Sequence, residues 1–300
     1  MSTLIQYDPE WYALAKPMLA ATRERLPLHD VKGRRAQIDV FLAAAGPFTL
    51  PDALDHIVHH AQAQDNHLIA IHHFRKKAVS HSESAPGPAI VHIHGGGYTC
   101  LSAADSAPSL AAWVQTTGVP MLSIDYRLAP EHPYPVPLED CWAALNAGGA
   151  LAASLALLAR DRNLSPPLAK QILVYPMIDD RTETDQTGGL ASFGIVDVIT
   201  GWAAYLGDLY KNTEKEVPPY AAAARLEDAK GLPPLYLDCG QLDLFIHENV
   251  AFVNKFVAAN NIPVECHIYP GVPHAFELFA PTSKAAQKAL ANRLEAIMSV

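Results

Sequence analysis

The chain has 300 residues, 50% of them hydrophobic, and carries 31 acidic against 22 basic residues for a formal net charge of −9. This length and apolarity suit a large buried core, and a negative charge without a lysine or arginine run argues against a nucleic-acid partner. No apolar run reaches membrane-spanning length and no signal-peptide pattern begins the sequence, so we expect a cytoplasmic protein. The four cysteines have no paired spacing, so we expect neither a disulfide framework nor a zinc site. We also expect no other metal and no cofactor.

The first 50 residues show helical patterns and no strand pattern. A helix is expected from Asp8 to about Arg25, because an acid, a proline and a second acid begin it. A second helical stretch is expected from about Gly33 to Ala45. We interpret residues 1–50 as a small helical cap and residues 51–300 as the main domain.

Short alternating segments between Asp55 and Lys77 predict two antiparallel strands joined at Asp65-Asn66. This hairpin carries six histidines, at positions 56, 59, 60, 67, 72 and 73. A metal-dependent hydrolase using these rings is one alternative. No neighbouring cysteine or carboxylate cluster completes a ligand set, so we expect a solvated face instead.

The stretch from Ala89 to Tyr98 reads AIVHIHGGGY. Its apolar start predicts a strand buried on both faces, and the three glycines that follow, Gly95, Gly96 and Gly97, allow a turn with positive φ. Such a turn can leave backbone N–H groups pointing at a ligand, which suits a developing oxyanion. A glycine-rich turn of any α/β protein is the alternative, since short motifs often occur by chance.

Strand and helix patterns alternate through the rest of the chain. A helix from Ser106 to Thr117 and a strand from Pro120 to Ile124 complete a right-handed βαβ unit with the strand at Ala89. Further strands are expected around Gln171, Leu235 and Val264. These patterns predict an α/β fold with a mostly parallel sheet and helices on both faces.

HGGG at residues 94–97, followed by DYRLAPEHPYPVPLEDC at residues 125–141, resembles the hormone-sensitive-lipase-like family of α/β-hydrolase carboxylesterases. The resemblance implies an α/β-hydrolase fold with a cap insertion at about 185–212. It also implies hydrolysis of short- to medium-chain acyl esters, with a small-molecule ester as the partner; a homodimer is left open. By the same resemblance Asp243 is the acid and His274 the base of a Ser-Asp-His triad.

The family's nucleophile motif, G-D-S-A-G-G, is absent. Asn146 stands where the serine is expected, Ala147 follows it at an oxyanion-hole position, and no G-x-S-x-G occurs elsewhere. The family also has a strand before the serine, and its loss together with a turn and helix end corresponds to about twenty residues. Residues 137–162 instead predict one long helix with a weak point at Asn146. The neat junction favours excision of one segment, such as a skipped exon.

We therefore expect a carboxylesterase-type hydrolase that is inactive as written. Its strands at Ala89 and Gln171 should face a gap one strand wide, which either persists or closes as the two strands move together. The alternative is a non-catalytic protein that binds a small ligand in the same pocket. The gibberellin receptors of plants resemble the same family and have lost part of the triad, so this route has a precedent. A receptor is expected to keep its central strand and lose only catalytic side chains.

Overall fold

A computed structural model of the chain describes residues 5–19, 25–77, 87–145 and 152–300. Within these ranges the strands β1 to β7 are Leu54–Gln62, Leu68–Lys76, Ile90–Ile93, Met121–Ile124, Gln171–Val174, Leu235–Gly240 and Val264–Tyr269. The α-helices α1 to α9 are Pro9–Leu19, Val31–Ala44, Ala107–Thr117, Val136–Leu145, Ala152–Asp161, Ile195–Leu206, Ile246–Ala258, Phe276–Phe279 and Lys284–Met298. None of the helices in these ranges is both long and apolar enough to cross a membrane.

The strands form two hydrogen-bonded groups. One group has the order β1-β2-β4-β3 and the other β5-β6-β7. The β1-β2 hairpin and its contact with β4 are antiparallel, whereas β3-β4, β5-β6 and β6-β7 are parallel. Among the described residues no ladder joins β3 to β5, which is where the sequence predicts a missing strand.

The two groups of strands nevertheless share their covering helices. Ile90 of β3 and Ile172 of β5 pack against one apolar cluster that includes Val114 of α3 and Ile297 of α9. On the opposite side, α5 contacts both strands through alternate residues: Leu155 and Leu158 lie in the cluster that Val91 of β3 joins. Ala153, Ala156 and Leu157 of α5 pack with Leu173 of β5. The result is an α/β architecture with helices on both faces of one interrupted sheet.

One helix prediction is wrong, and the end of another falls on residues outside the described ranges. Helix α1 is described as far as Leu19, residues 20–24 lie outside the described residues, and Arg25 is not helical. The single long helix over residues 137–162 is wrong, because α4 and α5 fold back on each other: Arg162 Nη2 lies 2.6 Å from Glu139 Oε1. In one straight helix these residues would stand about 35 Å apart. Both helices have apolar faces, and folding back lets Leu138 pack against Leu155 and Leu158.

The histidine-rich hairpin turns at Asn66, which has a left-handed φ of 66°. Its rings form two cross-strand pairs, with His56 Nε2 3.1 Å from His72 Nδ1 and His59 Nε2 3.2 Å from His73 Nδ1. Across the described ranges no three or more histidine, cysteine or acidic side chains are grouped to hold a metal ion. The hairpin therefore gives the metal-dependent alternative no support.

Candidate active site

Asp243 and His274 follow neighbouring parallel strands, β6 and β7, and the structure brings them together. His274 Nδ1 lies 2.9 Å from Asp243 Oδ2. The Asp243 side chain is fully buried, and its other oxygen, Oδ1, accepts a hydrogen bond of 3.0 Å from the backbone N–H of Phe245. The carboxylate is thus fixed from two sides and can hold one orientation of the imidazole.

Gly240 explains how closely the two loops approach. A Cβ on Gly240 would lie 2.2 Å from the carbonyl oxygen of Val272, inside any real contact distance. The backbone N–H of Leu242 donates to that same oxygen at 3.0 Å, and the N–H of Gln241 donates to Tyr269 O at 2.8 Å. Only glycine lets the strand that leads to Asp243 lie against the loop that leads to His274.

Three aromatic rings surround the imidazole of His274. The ring centroids of Tyr175, Phe193 and Phe245 lie 4.3, 5.0 and 5.5 Å from that of His274. The side chain of His274 keeps 24% of its surface exposed, so one part of the ring remains accessible. Ser192 Oγ donates to the backbone carbonyl of His274 at 2.8 Å and not to the ring, which makes it a structural hydroxyl.

A buried polar network lies behind Tyr175. The hydroxyl of Tyr175 donates to Glu277 Oε1 at 2.7 Å, and Arg293 Nη1 donates to the same oxygen at 2.6 Å. Arg293 also donates to both oxygens of Asp238, from Nε at 2.7 Å and from Nη2 at 2.9 Å. Burial raises the pKa of Asp238 despite this guanidinium. The network joins β6, α8 and α9, and it fixes the ring of Tyr175, which contacts the imidazole of His274.

The glycine turn after β3 matches the predicted strand-to-turn geometry at two of its three glycines. Gly96 and Gly97 have φ of 105° and 57°, whereas Gly95 does not use a positive φ. A Cβ on Gly96 would lie 2.0 Å from the carbonyl oxygen of Cys100, so the turn requires glycine there. The backbone N–H groups of Thr99 and Cys100 both donate to Gly96 O, at 3.2 and 3.1 Å.

Two adjacent arginines of α2 hold helices and loops around this turn. Arg34 Nε lies 2.7 Å from Asp197 Oδ1 on α6. Arg35 donates to Thr99 O at 2.8 Å and to both carboxylate oxygens of Glu131, each at 2.7 Å. Helix α6, which forms the core of the predicted cap insertion, lies so close that a Cβ on Gly201 would be 2.9 Å from Gly97 O.

The described residues thus bring Asp243 and His274 into contact and place Gly95, Gly96 and Gly97 in the turn that follows β3. Asn146 and Ala147 lie outside the described residues, between the end of α4 and the start of α5. Sequence reasoning did not find the supporting residues, of which Tyr175, Phe193, Phe245, Arg35 and Arg293 make the contacts above. The position of Tyr175 directly after β5 was the one available signal, because sites in such sheets form at carboxyl strand ends.

The comparisons with known proteins agree with this fold. A family profile described as alpha/beta hydrolase fold matches residues 90–147 and 146–278. The carboxylesterase NlhH of Mycobacterium tuberculosis is 30% identical over 234 residues, which cover 70% of this chain and 73% of that protein. The hormone-sensitive lipase of Bos taurus is 51% identical over 55 residues, or 18% of this chain and 7% of that protein.

A solved structure of a bacterial heroin esterase has 28% sequence identity and a TM-score of 0.84, with 98% of both chains covered. Together with the profile and the relatives, this similarity confirms the resemblance found in the sequence. The chain belongs to the alpha/beta hydrolase fold family, among its hormone-sensitive-lipase-like esterases.

Proposed function

We propose that this chain derives from a carboxylesterase acting on short- to medium-chain acyl esters, and that Asp243 and His274 are the acid and base of its triad. The observation that carries the proposal is the 2.9 Å contact between His274 Nδ1 and Asp243 Oδ2 at the carboxyl ends of neighbouring strands. The relative NlhH, named a carboxylesterase, supports the reaction class. The aromatic rings around His274 favour an apolar acyl group.

In the intact mechanism, His274 takes a proton from a serine hydroxyl through Nε2 and returns it to the leaving alcohol. Asp243 accepts the Nδ1–H hydrogen bond and so keeps Nε2 free to act as the base. The glycine turn supplies backbone N–H groups, with those of Gly96, Gly97 and Ala147 proposed to stabilise the tetrahedral oxyanion. All these roles require a nucleophile beside His274.

We further propose that the chain as written lacks that nucleophile and does not turn over esters. No G-x-S-x-G occurs in the sequence, and Asn146 cannot supply an alkoxide. The family profile matches in two segments that meet at residues 146–147, as expected for an excised stretch. The 234 positions aligned with NlhH also exceed the 70% of this 300-residue chain that they cover, so some positions of the relative have no counterpart here.

The test compares the purified chain with its His274→Ala variant on p-nitrophenyl acetate and butyrate. We expect equal, background rates, because an acid and a base alone cannot form an acyl-enzyme. A burst of nitrophenol that disappears in the variant would contradict the missing nucleophile. A second chain, with a helix, turn and strand ending in Gly-Asp-Ser inserted after Leu145 in place of Asn146, is expected to gain His274-dependent activity. A folded but inactive product would contradict the roles of Asp243 and His274.

A ligand-binding protein without turnover is the alternative within the same fold. The interrupted sheet counts against it, because a receptor gains nothing from losing the strand that supports its pocket. Cytoplasmic location, the domain boundary near residue 50 and a homodimer stay predictions. Fractionation, limited proteolysis and sedimentation would test these three in turn.

A further inference from the structure

Four of the six hairpin histidines meet as two pairs across β1 and β2. His56 Nε2 lies 3.1 Å from His72 Nδ1, and His59 Nε2 lies 3.2 Å from His73 Nδ1. In the regular register of the hairpin the members of each pair stand diagonally across the two strands. Positions 56 and 59 are an odd number of residues apart, so the pairs lie on opposite faces. The hairpin therefore holds two separate sets of two ring nitrogens.

The spacing of the nitrogens in each pair suits a transition-metal ion. Zn²⁺ binds an imidazole nitrogen at about 2.0–2.1 Å. An ion at this distance from both nitrogens of a pair would have an N–metal–N angle of about 100°. This angle lies between those of square-planar and tetrahedral coordination, the geometries of Ni²⁺, Cu²⁺ and Zn²⁺ sites. Each pair can thus chelate one ion without any movement of the strands.

The rings are also in the protonation state that a metal needs, and one of them is held in place. Burial and the neighbouring ring lower the pKa of His56, and burial and His59 lower the pKa of His73. A neutral imidazole has a lone pair on one ring nitrogen, and either nitrogen can carry the proton. His56 stacks flat on Phe74, with ring centroids 4.4 Å apart and 2° between the planes. Phe74 is fully buried, so it fixes this ring before an ion arrives.

The charges around the pairs do not oppose a cation. Beside His73 the guanidinium of Arg75 faces the carboxylate of Asp55, with 3.5 Å between Nε and Oδ2. These two charges offset each other, and the whole chain has a formal net charge of −9. The remaining hairpin histidines, His60 and His67, are both exposed, and neither is paired with a second imidazole in the described part of the chain. The same hairpin thus carries paired and unpaired rings for comparison.

We propose that each pair binds one divalent transition-metal ion of the class of Ni²⁺, Cu²⁺ and Zn²⁺, through His56 and His72 on one face and through His59 and His73 on the other. Water completes the coordination, since across the described ranges no three or more histidine, cysteine or acidic side chains are grouped to hold a metal. The ions link β1 to β2 and take no part in hydrolysis, because His274 follows β7 in the other group of strands. The proposal is independent of the proposed function.

Equilibrium dialysis of the full chain, without an affinity tag, against NiCl₂ at neutral pH tests the binding. Ni²⁺ is the probe because Cys266 is an exposed free thiol, and thiolates favour copper and zinc. We expect the native chain to bind two more Ni²⁺ ions than the double variant His56→Gln with His73→Gln, and each single variant to lose one ion. Loss of one ring should weaken its site at least about tenfold, because the second nitrogen of a chelate binds intramolecularly.

Urea denaturation provides a second measurement. Ni²⁺ should raise the unfolding midpoint of the native chain and not that of the double variant, because an ion that binds only the folded hairpin stabilises it. Mg²⁺, which prefers oxygen ligands, should raise neither midpoint. An equal rise in both proteins with Ni²⁺ would contradict the two pairs as the binding sites.

His60→Gln is the matched control, because it removes an exposed and unpaired ring from the same hairpin and should keep both ions. Replacing the other ring of each pair, in His72→Gln and His59→Gln, should remove the same ions as replacing the first ring. A folding defect of one variant would not repeat in this way. Equal Ni²⁺ binding by the native chain and the double variant, or a loss in His60→Gln as large as in His56→Gln, would overturn the proposal.

Discussion

Replacing Arg293 with methionine removes the guanidinium that two carboxylates share behind the candidate site. The Arg293 side chain is 4% exposed and lies 2.7 Å from Asp238, which is fully buried, and 2.6 Å from Glu277. Breaking a buried ion pair by removing one partner destabilises a protein by about 3–5 kcal/mol, because a charge stays behind in the interior. Set against a total stability of about 5–15 kcal/mol, the loss should be large in a urea denaturation curve.

The loss should also depend on pH. Without Arg293, burial keeps the folded-state pKa of Asp238 above its unfolded value, a direction already present in the native protein. A carboxyl with a raised folded pKa gives its full stability below the unfolded pKa of about 3.9 and loses it as pH rises. The deficit of the Arg293→Met variant should therefore be larger at pH 8 than at pH 5.

Lys284 offers a matched control on the same helix. Its amine lies 3.4 Å from Glu10, but the side chain is 88% exposed. Lys284→Met should change the unfolding free energy by less than about 1 kcal/mol, as surface pairs do. An Arg293→Met effect as small as that of this control, or one that stayed constant between pH 5 and pH 8, would contradict a stabilising buried ion pair at Arg293.

Three further substitutions probe neighbouring features. Glu248 accepts backbone hydrogen bonds, but burial raises its pKa to about 8. Between pH 6 and pH 9 the melting temperature of the Glu248→Gln variant should therefore fall less than that of the native chain. An equal fall in both proteins would contradict this. Gly240→Ala should destabilise by about 1–3 kcal/mol through its clash with Val272 O, and a neutral result in urea denaturation would show that the loop yields. Arg35 donates to the carbonyl oxygen of Thr99, so Arg35→Gln should speed hydrogen exchange of the Thr99 amide. Unchanged exchange would show that the hydrogen bonds within the glycine turn are enough to hold it.

Local patterns were enough to find the parts of the fold that depend on neighbours in sequence. The glycine run after an apolar strand, the turn at Asn66 and the acids and histidines after β6 and β7 all lie where periodicity and turn chemistry predict. The pairing of Asp243 with His274 came from the family resemblance. Their positions after neighbouring parallel strands, which end at one edge of a sheet, agree with it.

The failures came from contacts between distant segments. Residues 137–162 show a helical pattern with one weak point at Asn146, and nothing in that pattern shows that the second half folds back to place Arg162 beside Glu139. Tyr175 and Arg293 are separated by more than a hundred positions, yet the cation lies 5.2 Å from the ring centroid. Such pairings follow from packing of whole elements, so a single sequence does not carry them in readable form.

The paired histidines of the β1-β2 hairpin make this outer part of the sheet sensitive to acid. Each pair shares a contact that requires one neutral ring, and burial together with the partner ring lowers the pKa of His56 and of His73. Because their folded pKa lies below the usual 6.5, stability is lost as pH falls through that range. Charging both rings of a pair adds repulsion between β1 and β2. Mild acid should therefore weaken the β1-β2 pairing, whereas His274 follows β7 in the other group of strands.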